Sequence, residues 1–262
     1  MRLWKRPFPY QYTMTDSSGL PVVLEVVNHE KDLGVTVDNQ LSFKTHIAEV
    51  TNAASKKVGM IRRGFRYLDG QIFNMLFKSL VRPGLEYCHS VWRPHLVTEM
   101  RKVEQVQRRA TKLVPEVKNL PYSDRLKALN LPSMEYRLRR GDMIEVWKVL
   151  NEAYNGEFQW LKMNADTNTR SNGAKLVYDG KSNPQKCRAF SQRVQRDWRS
   201  LPPSVVNART LNSFKTALDN HWDHLKFIHP GPYSVSNSAD PLVTLIRVSA
   251  CMASPVTTMV NE

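Results

Sequence analysis

The sequence predicts a mainly α protein: a small N-terminal antiparallel β segment, then a helical bundle, then a disordered C-terminal tail. Three observations predict it. Short β-branched runs are concentrated before residue 41. From Ser42 onward apolar residues recur at three- and four-residue spacing. After His229 the chain carries Pro230-Gly231-Pro232 and much Ser and Thr, without periodicity.

Taken in order, Tyr10–Met14 is short and alternating, and Asp16-Ser17-Ser18-Gly19 is a turn signal. Val22–Val27 and Leu33–Val37 are further strand candidates. Three such strands are marginal alone and need a helical layer or more sheet to pack on. At Ser42, an N-cap residue type, the period changes. Ile47, Val50, Ala54, Val58, Ile61, Phe65 and Leu68 then mark the clearest helix. Asp69 is placed to cap a second, whose Ile72, Phe73, Leu76, Phe77, Leu80 and Val81 form a broad stripe for deep burial. Pro83-Gly84 should break or kink it before Leu85–Trp92 resumes and Arg93-Pro94 closes it. Thr98 and Glu99 open a helix with Val103, Val106, Ala110 and Leu113 on one face, stopped by Pro115. Ser123–Leu129 is a short capped helix. Ser133 starts another that runs to about Asn151, with Leu138, Ile144, Trp147, Val149 and Leu150 as candidates for its inner side. Gly141 stands mid-helix at a cost of about 1 kcal/mol relative to Ala, which a close backbone contact explains. Residues 156–186 read as a linker, with Lys175–Tyr178 strand-like. Phe190, Val194 and Trp198 mark a helix closed by Leu201-Pro202-Pro203, and Ser213 caps a last one with Phe214, Leu218 and Trp222 inward. The expected division is a β segment over 1–41, a basic helical domain over 42–155, a linker over 156–186, short helices over 187–228 and a disordered tail over 229–262.

The charge carries the strongest functional signal. The chain has 262 residues and a net charge of +14, with a pI of 9.8. Such an excess points to a polyanionic partner, because Lys and Arg gain affinity by releasing counterions from phosphates. The competing reading is a basic surface that binds nothing. The charge falls in clusters on separate helices: Lys56, Lys57, Arg62, Arg63 and Arg66, then Arg101, Lys102, Arg108, Arg109 and Lys112, then Arg137, Arg139 and Arg140. Part of the first has a structural reason, since cations favour a helix C-terminus. The candidate phosphate contacts are Lys56, Lys57, Arg62, Arg63, Arg66, Arg101, Arg108, Arg109, Lys112, Arg139 and Arg140, with Arg62, Arg63, Arg108, Arg109 and Lys112 foremost. Charge alone is indifferent to RNA or DNA.

Other chemistry finds little support. Trp92, Trp147, Trp160, Trp198 and Trp222 offer faces for stacking, but tryptophans on apolar helix faces are more often core. His221 and His224 share helical spacing, yet two ligands do not make a metal site. The sequence holds no adjacent Asp pair, Gly-rich phosphate loop, His-Glu-x-x-His or Gly-x-Ser-x-Gly. Cys88, Cys187 and Cys251 are odd in number and far apart, which fits a reducing, intracellular compartment. No apolar run is long enough to span a membrane, and Met1–Pro7 lacks the apolar region of a secretory signal.

A set of blocks carries a resemblance. Glu30-Lys31-Asp32-Leu33-Gly34-Val35, followed by Asp38, Leu41, Phe43 and His46-Ile47, resembles the end of the palm in reverse transcriptases of non-LTR (LINE-type, jockey-like) retrotransposons. Leu80-Val81-Arg82-Pro83 with Leu85-Glu86-Tyr87 and Val91-Trp92 resembles the next block, as do Val103–Arg109 and Arg140-Gly141-Asp142-Met143-Ile144 with Val146, Lys148 and Leu150-Asn151. Phe190-Ser191, Arg193-Val194, Trp198, Leu201-Pro202, Val205-Val206, Phe214-Lys215, Leu218-Asp219 and Trp222 resemble the C-terminal end. Order and spacing over residues 20–225 make the match specific. The resemblance implies a palm edge, a thumb that grips a template–primer duplex by its backbone, and a helical region after it. It implies RNA and RNA–DNA or DNA duplexes as partners, a nuclear or cytoplasmic location, and Mg2+ as the cofactor of the full-length RNA-directed DNA polymerase, with no cofactor in this chain. The family's chemistry uses metal-binding carboxylates, an adjacent Asp pair among them. None of its catalytic residues carries over, and Asp32 and Asp38 correspond to strand ends. The chain is therefore expected to bind nucleic acid without polymerising. The alternative is a catalytically dead helical scaffold or protein-interaction module from a decayed or host-adopted element copy.

Overall fold

The computed structural model describes residues 12–151, 154, 161, 176 and 189–229. Most of the expected linker, Trp160 and the tail beyond His229 lie outside the described residues. The protein is mainly helical, with small antiparallel strand pairs at the N-terminal end. Strands β1 (Thr13–Thr15) and β2 (Pro21–Val23) pair in one two-stranded sheet; β3 (His29–Asp32) and β4 (Val35–Asp38) pair in another. The Asp16 turn joins the first pair: its Oδ1 accepts the N–H of Ser18 and of Leu20, and Gly19 takes a φ of 78°. The expected third strand is displaced. Leu33 and Gly34, at φ 44° and 85°, form the β3–β4 turn, and the polar run His29–Asp32 supplies the partner strand. That strand is exposed throughout, so it shows no apolar alternation to read.

The β3–β4 hairpin docks on the first helix, α1 (Lys44–Gly64). The Thr36 N–H donates to His46 Nδ1 at 3.2 Å and its hydroxyl to Glu49 at 2.6 Å. Ser42 is not the N-cap expected of it. Phe43 occupies that position at φ 55°, without a side-chain cap, and Asp38 organises the entry instead. Its carboxylate accepts from the Gln40, Ser42 and Phe43 N–H groups and the Ser42 hydroxyl. Burial would raise the Asp38 pKa, but these hydrogen bonds outweigh it and hold the group below its ordinary value.

Asp69 caps α2 (Gly70–Leu76) as its position suggests, accepting the Ile72 N–H at 2.7 Å. Pro83 leaves the helical path unbroken. A π-helical turn over Phe77–Val81 leads into α3 (Arg82–Glu86), and the Arg82 N–H reaches back to the Phe77 carbonyl. The inserted residue absorbs the hydrogen bond that proline cannot make. It also keeps Phe73, Phe77, Val81 and Leu85 on one fully buried row and turns Leu80 outward. The helix stops at Tyr87, whose hydroxyl donates to the Leu33 carbonyl and whose ring lies against Gly34. A short α4 (His89–Trp92) leads to α5 (Val97–Ala110), which begins one residue before Thr98 and tightens to a 3-10 turn over Thr111–Leu113 ahead of Pro115.

Helix α6 (Tyr122–Ala128) is preceded by Pro121 rather than capped by Ser123. Helix α7 (Met134–Leu150) is capped by Ser133, which accepts the Tyr136 N–H. A second acceptor helps: buried Glu104 takes the N–H groups of Met134 and Glu135, which the first turn of the helix leaves without backbone partners. Beyond residue 188 come α8 (Phe190–Ser200), a single turn α9 (Pro203–Val206) and α10 (Leu211–His221). Thr210, not Ser213, is the α10 N-cap; Ser213 is its partner three residues on in a reciprocal capping box.

Two hydrophobic cores result. The first joins β4 and α1–α6 with Met134 and Leu138 of α7; the second joins Tyr136, Met143, Val146 and Trp147 of α7 to α8–α10. Helix α7 thus contributes to both cores, with Leu138 in the first and Tyr136 in the second. Trp92 lies in the first core, and Trp147, Trp198 and Trp222 in the second. Gly141 has the close contact its position calls for. A Cβ there would overlap the His89 imidazole at Nε2 and Cε1. His89 has little room to yield, because its Nδ1 lies 2.9 Å from the Glu86 carbonyl. Gly141→Ala is expected to destabilise the fold by about 1–3 kcal/mol through overpacking, despite better helix propensity. Thermal or urea unfolding measures it, and an unchanged midpoint would remove the role assigned to this glycine.

Candidate nucleic-acid interface

The basic clusters share a sequence signature but differ in what their charges do. On α7, the cations are paired internally. Arg137 donates twice to Glu86, at 2.7 and 3.0 Å. Arg139 grips Asp197 of α8 in the same bidentate way, at 2.7 and 2.6 Å. Arg140 holds Asp219 of α10, which also accepts from the Tyr136 hydroxyl. Burial would raise the Asp219 carboxyl, but Arg140 and Tyr136 outweigh it and hold it low. These ion pairs fasten α7 to its neighbours, and the candidates Arg139 and Arg140 are among the residues that form them.

The α5 cluster divides. Lys102 pairs with Glu99 at 3.1 Å, and Arg101 is half-buried. Arg108 lies over the Tyr122 ring at 4.4 Å and donates to His229 at 3.2 Å, so a phosphate reaching it would have to displace His229. Arg109 and Lys112 are exposed. On α1 and the residues after it, Lys56, Lys57, Arg62, Arg63 and Arg66 are all exposed. Among the described residues no ion pair holds Lys56, Lys57, Arg62, Arg63, Arg66, Arg109 or Lys112.

Helix packing brings the open parts of these two clusters together. Helix α1 packs along α5. Near the start of the pair, the His46 ring meets the Trp92 ring edge-on at 5.2 Å. At the other end, the Tyr67 hydroxyl donates to Glu116, joining the residues after α1 to those after α5. The helices therefore run parallel, and both C-termini share one end of the bundle. Arg62, Arg63 and Arg66 lie at that end, as do Arg109 and Lys112. Both helix dipoles present partial negative charge at that end, which the cations offset. The sequence shows each cluster; only the parallel packing shows that they share an end.

Two buried carboxylates among the described residues, Glu104 and Asp142, are held in contacts between helices. Glu104 has the pKa expected of a general acid, pushed up to about 7, chiefly by burial. It is sealed beneath Tyr122, whose hydroxyl donates to it, and opens to no cleft. Asp142 is buried among Arg93, Arg193 and His89. Sequence reading passed over this group, because its members lie on α4–α5, α7 and α8 and no local spacing connects them. Among the described residues, no three His, Cys, Asp or Glu side chains are placed to hold a metal, and no helix is long and apolar enough to cross a membrane. A notch lined by Glu135, Tyr136, Arg139, Trp222, Leu225 and Ile228 encloses about 10 Å³, room for roughly one water molecule and far less than a small-molecule site needs.

Comparison with known proteins adds a partial similarity. No family model matches the chain, and no solved structure matches it. The chain is similar to an uncharacterized protein of Caenorhabditis elegans, 26% identical over 145 residues, which cover 54% of this chain and 71% of that protein.

Proposed function

We propose that this chain binds nucleic acid through its backbone, without sequence preference, as the thumb-like part of a non-LTR retrotransposon reverse transcriptase. The observation that carries the reading is that Arg62, Arg63, Arg66, Arg109 and Lys112, without internal ion pairs among the described residues, lie near the C-terminal ends of α1 and α5, which the Tyr67–Glu116 bond ties to one end of the bundle. Lys56 and Lys57 extend this charge along the exposed side of α1. Phosphate oxygens are the complementary ligand, and counterion release supplies the affinity. RNA and RNA–DNA or DNA duplexes all present the required row of charges. No residue here is assigned to polymerase chemistry, so a Mg2+-dependent primer-extension assay with this chain alone is expected to give no product.

Fluorescence anisotropy with a labelled RNA–DNA duplex tests the reading. Binding is expected at low salt, with log K falling linearly in log salt at a slope of about −3.6 to −4.5 if four or five phosphates are touched. A folded sample that leaves the duplex free at low salt overturns it. The second reading, a helical scaffold without a nucleic-acid role, draws on the internal pairing of Arg137, Arg139 and Arg140. It is the reading that such a negative result would leave standing.

A further inference from the structure

Phe65 continues the apolar spacing of α1 in sequence, yet it is 43% exposed. The reason is local. Helix α1 ends at Gly64, and Phe65 takes extended backbone angles of −124° and 119°, which carry its ring off the buried stripe of Ile47, Ala54 and Ile61. Two residues on, Tyr67 is 63% exposed, with its hydroxyl tied to Glu116. That bond restrains the ring before any ligand arrives. Arg62, Arg63 and Arg66 flank these residues in sequence and are also exposed.

We propose that the segment from Arg62 to Tyr67 is a site for unpaired nucleotides, with Phe65 and Tyr67 stacking on bases and Arg62, Arg63 and Arg66 holding the phosphates between them. The inference rests on the nucleic-acid reading above and narrows it from a backbone grip to a single-strand site. The interleaving of rings and guanidinium groups chooses the ligand class. An apolar protein surface covering Phe65 would strip water from the neighbouring guanidinium groups and offer them nothing in return. A single strand covers the rings with bases and the cations with phosphates at once. Every base has a stacking face, so the site tolerates any sequence. A blunt duplex keeps its bases stacked inside and meets only the cations. RNA and DNA strands share this chemistry.

The test compares a labelled oligo-dT, an oligo-U and a blunt RNA–DNA duplex on the full chain by anisotropy. Phe65→Ala is expected to weaken both single strands by about tenfold, given the worth of one base–aromatic stack, and to leave the duplex affinity and its salt slope unchanged. Phe65→Trp is expected to restore the strands. A strand carrying 2-aminopurine gives a readout free of any variant: stacking on the wild-type protein quenches its fluorescence. Unchanged strand affinity in Phe65→Ala, or binding without quenching, overturns the inference and leaves the backbone grip intact. Failure of the wild type to bind strand or duplex at low salt removes both.

Discussion

Replacing Asp142 with alanine is expected to destabilise the protein by about 3–5 kcal/mol, the largest single-residue effect anticipated here. Its carboxylate is fully buried and serves cations from two directions. Arg93 donates to Oδ2 at 2.8 Å; Arg193 donates to Oδ2 at 3.0 Å and to Oδ1 at 2.9 Å. Arg193 also donates to the carbonyls of His89 and Ser90, and Arg93 reaches Glu135. Removing the carboxylate leaves two guanidinium groups facing each other, out of water and with less to hold them. Asp142→Asn is expected to fare little better, since the amide keeps the shape but loses the charge. Pairing Asp142→Ala with Arg193→Leu should recover part of the loss by removing one of the stranded charges. Urea unfolding checks each variant, and a loss below about 1 kcal/mol would contradict the assigned role. The pH dependence has a definite sign. Burial would raise the Asp142 carboxyl, but Arg193 and Arg93 outweigh it and hold it below the ordinary carboxylate range. Its contribution is therefore complete above the unfolded-state pKa and is lost as pH falls through the lower folded value.

The second large effect concerns affinity. Neutralising Arg62, Arg63 and Arg66 together to glutamine is expected to flatten the salt slope by about 0.9 for each phosphate no longer touched. At about 50 mM salt that corresponds to roughly fifteenfold in affinity if one phosphate is released and on the order of a thousandfold if each arginine holds its own. The fold should survive, because these side chains are exposed and hold no ion pair among the described residues. Lysine at the same positions keeps the charge and should keep the slope. Arg139→Gln is the informative contrast. Its guanidinium is bound to Asp197, so it should lower stability and leave the slope unchanged. Equal slopes for the wild type and the triple glutamine variant would move the interface away from the end of α1.

What the sequence discloses is set by the range of the forces involved. Helix periods, the Asp69 and Ser133 caps and the crowding at Gly141 were legible, since each is written within a few residues or in one anomalous residue type. The errors have equally local causes. Phe65 keeps the apolar period, but the helix stops one residue earlier. Leu80 belongs to the stripe until a π turn shifts the register. The polar strand His29–Asp32 has no alternation to detect. For the candidate interface, residue type identified the charge but not its availability. Arg109 and Arg139 look alike in sequence, yet one faces solvent and the other meets a carboxylate 58 residues away. Such partners are chosen by packing, which no local pattern encodes.

The return of the chain to Ser133 has a consequence for the order of assembly. The Ser133 hydroxyl caps α7 and donates to the Ile228 carbonyl, and its N–H donates to the Lys226 carbonyl. Phe227 packs against the first core. This closure spans 95 residues of sequence, and pairings of such separation form late because loop closure precedes any gain from them. During synthesis the first core would thus stay unfinished until Phe227 clears the ribosome. A nascent chain halted before that point should show a looser α5–α7 region, detectable as proteolytic nicking between Val114 and Ser133 that vanishes once the remaining residues are added.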